Sequence, residues 1–160
     1  MQASRMPDQC IFCAILEGKQ AAYAFDREDE SVSVLDIHPA VEGQSLIIPG
    51  VHAPLFLMLP PGVIGHVARL AQRASRALLS VLREKGVEGV TLLIPLGSAA
   101  GQRTPHTLVH LFPRRRGDGL FAYEREKGVD DRVYATARAV RETLARLASP
   151  PQNHEQGGGQ

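Results

Sequence analysis

The sequence predicts an α+β domain built on an antiparallel sheet. Short apolar runs gather in clusters instead of alternating strictly with helices, which argues against a parallel sheet. Two longer stretches, one after Pro60-Pro61 and one after Asp130-Asp131, carry apolar residues at helical period. A chain of 160 residues suits one domain with a real core. Its 44% hydrophobic and 22% charged residues are ordinary for a soluble protein. The formal net charge of +1 gives no global field toward nucleic acid or anionic lipid, so neither is an expected partner. No apolar run approaches the length that spans a bilayer, and Met1 to Gln9 lacks the apolar stretch of a secretory signal. A cytoplasmic location is therefore expected.

The first element is a short strand from Ala21 to Phe25, followed by an acidic turn from Asp26 to Glu30. Val32 to Ile37 is β-branched and apolar around Asp36, a second strand that Pro39 and Gly43 end. Leu46, Ile47 and Ile48 are consecutive apolar residues, as in a strand covered on both faces. Pro60 and Pro61 fit the first turn of a helix. Val63, Val67, Leu70, Ala74 and Leu78 follow on one side, Arg69, Arg73, Arg76 and Arg83 on the other, and Gly86 ends the run. Val90 to Leu96 and Thr107 to Phe112 read as two more strands, the second stopped by Pro113. A last helix carries Val133, Ala137, Val140, Leu144 and Leu147 on one stripe. Residues 1–148 form the expected domain. The tail 149–160, rich in Pro, Gly and Gln, is expected to be disordered.

Two features carry chemistry. Cys10 and Cys13 lie too close in sequence for a structural staple to gain much. In a reducing compartment such a pair is metal-binding or redox-active, or simply two free thiols. In the second feature, Gly101-Gln102-Arg103-Thr104-Pro105-His106-Thr107-Leu108-Val109-His110-Leu111-Phe112-Pro113-Arg114, strand alternation puts His106, Leu108 and His110 on one face. Two imidazoles flanking a leucine on a core strand need a reason, because burying an unsatisfied polar group is costly.

Here the sequence resembles the histidine-triad (HIT) superfamily. Its signature is three histidines at alternate positions of one strand, after Gly-Gln and before Pro-Arg. Gly101-Gln102, His106, His110 and Pro113-Arg114 match. Cys10-Ile11-Phe12-Cys13 resembles the family's opening. Leu35 to Pro39, Gly43 to Pro49 and His52 resemble its second and third strands and the loop that follows. The resemblance implies a five-stranded antiparallel sheet with helices on one side, usually in a homodimer. In zinc-binding members the ligands are a Cys-x-x-Cys, a loop histidine and the first triad histidine. Cys10, Cys13, His52 and His106 occupy those positions, which implies a structural zinc with no open coordination position. The resemblance also implies a purine-nucleotide pocket. Phe12, Ile15, Val34 and Ile37 would line the base, or serve simply as core. Asp36 would accept from ribose hydroxyls, and Gln102 and His110 would face phosphate, although His110 is also consistent with a satisfied core histidine.

The sequence also departs from the family. The middle histidine is the family's nucleophile, and this chain has Leu108, which has no lone pair to attack phosphorus. Pro95 replaces a common Asn, Gln44 replaces the His of a Gly-His pair, and Arg103 replaces a Ser or Thr. No catalytic residue is therefore assigned. Three readings follow: a nucleotide-binding pseudoenzyme; an active phosphoramidase or dinucleoside polyphosphate hydrolase with altered machinery; or a zinc-stabilised dimeric scaffold for a protein partner.

Overall fold

The structure, a computed structural model, describes residues 10–121 and 131–148, so the tail 149–160 lies outside the described residues. The chain divides into two compact units, Met1–Asp118 and Gly119–Gln160. The first contains α1 (Ile11–Leu16), β1 (Ala24–Glu28), β2 (Ser31–Leu35), β3 (Ser45–Ile48), α2 (Pro61–Val81), β4 (Gly89–Leu93) and β5 (Val109–Arg114). The second contains α3 (Asp131–Ala148). The five strands form one sheet in the order β1-β2-β3-β5-β4, and each neighbouring pair is antiparallel.

Strand alternation sorts the side chains onto two faces. Ile47 of β3 and Val109 and Leu111 of β5 point to one face. There they pack with Val67, Leu70, Ala71, Ala74 and Leu78 of α2. Ile47, Leu70 and Leu111 are completely buried, and each such side chain contributes about 1.5–3 kcal/mol relative to exposure. Val32, Val34, Leu46, Ile48 and Leu108 point to the other face, with Phe12, Ile15 and Leu16 of α1 packed against them. α1 and α2 therefore lie on opposite faces of the sheet, instead of sharing one side. All four residues of β3 are buried, which is why its apolar residues run consecutively.

Several boundaries differ from expectation for local reasons. β1 runs through the acidic stretch that reads as a turn, because α2 supplies cations to it. Arg73 donates to both carboxylate oxygens of Asp26 (2.8 and 3.1 Å) and to Glu28 (2.6 Å), and Arg69 donates to Glu28 (2.7 Å). The chain reverses one step later, at Asp29, whose φ of 52° is a conformation aspartate tolerates. β4 stops at Leu93, two residues before Pro95. β5 starts two residues late because the Thr107 amide donates to the Ala53 carbonyl (2.7 Å) rather than to a strand. It also runs through Pro113. The β3 ladder ends at Leu111, so proline's missing N–H leaves no β3 partner unmet.

Two glycines permit close approaches. At Gly43 (φ 79°) a Cβ would lie 2.6 Å from Leu82 Cδ1. At Gly50 it would lie 2.8 Å from the Glu30 carbonyl carbon. This second contact seats the chain that leads from β3 to His52, and the Gly50 amide donates to Ser31 Oγ (2.9 Å).

A candidate metal centre beside an open cavity

Cys10 caps α1 and Cys13 sits in its first turn, so a six-residue helix brings both sulfurs to one side. His52 arrives on the loop after β3, and His106 on the segment leading into β5. Their ligand atoms all lie within 4.8 Å of one another. Cys10 Sγ and Cys13 Sγ stand 3.5 and 3.7 Å from His106 Nδ1, and Cys13 Sγ stands 3.3 Å from His52 Nδ1. A tetrahedral zinc with bonds of about 2.0–2.3 Å separates its ligand atoms by about 3.3–3.8 Å.

A backbone carbonyl orients the cluster from behind. His106 Nε2 lies 3.3 Å from the Pro49 carbonyl, which can only accept, so Nε2 holds the proton. Nδ1 then has a single lone pair facing two thiols. The Cys13 thiol also has the His52 Nδ1 in reach, and two sulfurs and two imidazole nitrogens converging on one point are the donor set that a tetrahedral zinc takes. The Pro49 carbonyl also fixes the tautomer and ring orientation, a common device behind metal-bound imidazoles. Burial pushes the Cys13 thiol up to about 12, reinforced by Cys10 beside it. Burial likewise drives His106 down to about 4, against the raising effect of the Pro49 carbonyl. Burial thus keeps the Cys13 thiol and His106 neutral when metal-free; a divalent cation binds by displacing thiol protons. The four side chains fit a structural zinc, with no position left for substrate or water.

His106, Leu108 and His110 all line one cavity of about 600 Å³, open to solvent. Thr107 and Val109 turn away: the Thr107 hydroxyl donates to the Ala53 carbonyl (2.8 Å), and Val109 joins the α2 core. Leu108 is 8% exposed and belongs to the apolar cluster with Val34 and Leu46. Burial lowers the pKa of His110, offset in part by Asp36. Its ring stacks on Phe112 (16° between planes).

Phe12, Asp36, Gln102 and His110 reach the cavity wall. Ile15, Val34 and Ile37 do not line it. Ile15 and Val34 are used by the core between α1 and the sheet, and Ile37 is 66% exposed past the end of β2. The two amide hydrogens of Gln102 are already committed, to the carbonyls of Pro54 (2.5 Å) and Thr104 (2.9 Å), while its oxygen accepts from the Gly97 amide (2.8 Å). Gln102 braces its loop.

The role of Gln44 was not apparent from sequence. It is buried and donates to Asp36 Oδ2 (2.8 Å) while accepting from the Ala40 amide (2.6 Å). The His38 amide donates to Asp36 Oδ1 (2.9 Å), so the carboxylate is held on both oxygens. Its place directly after Gly43, where the family resemblance expects the His of a Gly-His pair, was the available signal. The Pro49 carbonyl gave none, because backbone groups do not show in a sequence.

An antiparallel five-stranded sheet that sets a Cys2His2 cluster beside an open cavity defines a small metal-supported α+β binding domain. Comparison with known proteins makes that class specific. The HIT domain family matches residues 17–117, and this chain belongs to it. An adenylylsulfatase of Arabidopsis thaliana is 32% identical over 124 residues, 78% of this chain; the chain spans 61% of that relative's length. The crystal structure of a zinc-bound histidine triad family protein from Mycobacterium smegmatis is 32% identical, with a TM-score of 0.62, covering 87% of this chain and 95% of that one. A histidine triad nucleotide-binding protein from Candida albicans is 26% identical, with a TM-score of 0.74, covering 87% of this chain and 99% of that one.

Proposed function

We propose that the chain binds a purine nucleotide or a closely related small molecule and has lost the covalent chemistry of its family. The observation that carries this reading is the side chain at position 108. Leucine stands between His106 and His110 on the wall of the cavity, where the family signature has its attacking histidine. A hydrocarbon forms no phosphoryl adduct. His106 is committed to the metal cluster and to Pro49, so it is not a substitute. Asp36, fixed by Gln44 and the His38 amide, is the acceptor offered to ribose hydroxyls, and Phe12 and His110 flank the ligand. The names of two relatives, a nucleotide-binding protein and an adenylylsulfatase, support a nucleotide or adenylyl ligand.

The zinc holds α1 against the loop after β3 and the entry to β5. A cytoplasmic homodimer completes the reading. Edge strand β4, Gly-Val-Thr-Leu-Leu, has no charged residue to discourage pairing with a second copy. Among the described residues, no helix is long and apolar enough to cross a membrane.

Two measurements test the proposal. Calorimetry should give a saturable AMP isotherm. Incubation with adenosine phosphoramidate or diadenosine polyphosphate should give turnover no faster than buffer. Efficient turnover would restore the family's enzymatic activity and sink the pseudoenzyme reading. Absence of any nucleotide binding would leave the zinc-stabilised scaffold in its place.

A further inference from the structure

Arg103 lies on the cavity rim, in the loop between β4 and β5. Five other arginines of this unit are engaged. Arg69 and Arg73 hold Asp26 and Glu28, Arg114 holds Asp118 and Thr91, Arg115 donates to the Lys85 carbonyl and Arg116 to Glu88. Among the described residues, Arg103 is the one permanent cation lining the cavity, and its guanidinium meets no carboxylate or carbonyl there. Asp36, the cavity's carboxylate, forms no ion pair with it; its two oxygens accept from Gln44 and the His38 amide.

The loop presents this side chain firmly. Gln102 ties its start to Pro54 and Gly97, and the Thr104 hydroxyl on the other side donates to the His106 carbonyl (3.3 Å). Gly101 turns the chain at a φ of 86° just before it. An anchored backbone that carries an unpaired guanidinium over a cavity is an anion seat awaiting its anion.

The strand that would otherwise hold an anion offers little. Leu108 has no donor, His106 is occupied with the metal cluster, and burial disfavours a positive charge on His110. Gln102 has no spare hydrogen. We infer that Arg103 seats the anionic end of the ligand from the loop, so that the cavity selects a nucleoside monophosphate over an uncharged nucleoside. This rests on the nucleotide reading above.

The test compares AMP with adenosine by calorimetry on the full zinc-loaded chain, for wild type and R103A. R103A should bind AMP about tenfold more weakly, the scale of losing one charge-assisted contact. Adenosine affinity should change by less than about twofold. R103K, a point charge without the bidentate fork, should recover part of the loss. Raising salt should erode the preference of wild type for AMP and leave R103A nearly flat. Matching melting temperatures would show that R103A is folded, as expected for an exposed side chain. Equal AMP affinity in wild type and R103A would overturn this inference and leave nucleotide binding standing. Parallel losses for AMP and adenosine would also overturn it, since the residue would then act on the cavity's shape. A wild type that binds neither compound would overturn both.

Discussion

The two ends of one short segment have fared differently. At residue 106 the segment joins a cluster in which every donor has a geometric purpose, down to the Pro49 carbonyl behind His106. Four residues on, at His110, the same face opens onto a cavity lined by Leu108, Gln44 and Arg103. The metal end supports folding, and any loss there is felt by the whole domain. The cavity end, in the proposed reading, only holds a ligand, and side chains there can change while the sheet persists. Fold and chemistry are thus separable along a single strand, because they depend on different atoms.

Removing the metal should break the contrast most severely. A ligand that binds only the folded state at about a thousand times its dissociation constant stabilises by about 4 kcal/mol. Stripping zinc with a strong chelator should therefore lower the melting temperature by on the order of 10 °C. C13A should melt at the low temperature whether or not zinc is supplied. A chelator-treated protein melting with the untreated one would remove the metal from the account.

At the cavity end, Leu108→His should leave the fold intact and raise phosphoramidate turnover by about a hundredfold, roughly the contribution of a restored nucleophile working among altered neighbours. If L108H binds AMP and remains inert, Gln44, Pro95 and Arg103 limit the chemistry more than the missing imidazole does.

The smallest effect concerns acid. Burial lowers the His110 pKa from 6.5 in the folded chain, so the unfolded chain takes up that proton first. The His110 contribution to stability is complete above about pH 6.5 and is lost as pH falls toward the depressed folded value. Denaturant titrations at decreasing pH should show His110→Gln losing less stability than wild type. The metal ligands protonate in both proteins, so the difference isolates this ring. Identical acid limbs would mean that His110 is as easily protonated folded as unfolded.

Much of this architecture was legible in the sequence, wherever periodicity had length to act on. The four-residue burial of β3 and the apolar stripe of α2 follow directly from their patterns. α1 did not, because six residues give fewer than two turns to read. β1 hid its acidic half, since Asp26 and Glu28 are strand residues only through arginines that lie more than 40 positions away. In the site, Cys10, Cys13, His52 and His106 were visible as residue types with family positions, and they converge. Ile15, Val34 and Ile37 were apolar residues near the right strand, and apolarity does not distinguish a cavity wall from a core or an exposed strand end. Gln102 looked like a phosphate donor until its partners were known; a side-chain amide does not announce which carbonyl it will choose.

The same Gln102 side chain also ties together two neighbouring loops. Its amide grips Pro54, two residues past His52, so a ligand of the metal and the rim of the cavity hang from one short length of chain. Any displacement of residue 52 is thereby handed to the rim through a single hydrogen bond.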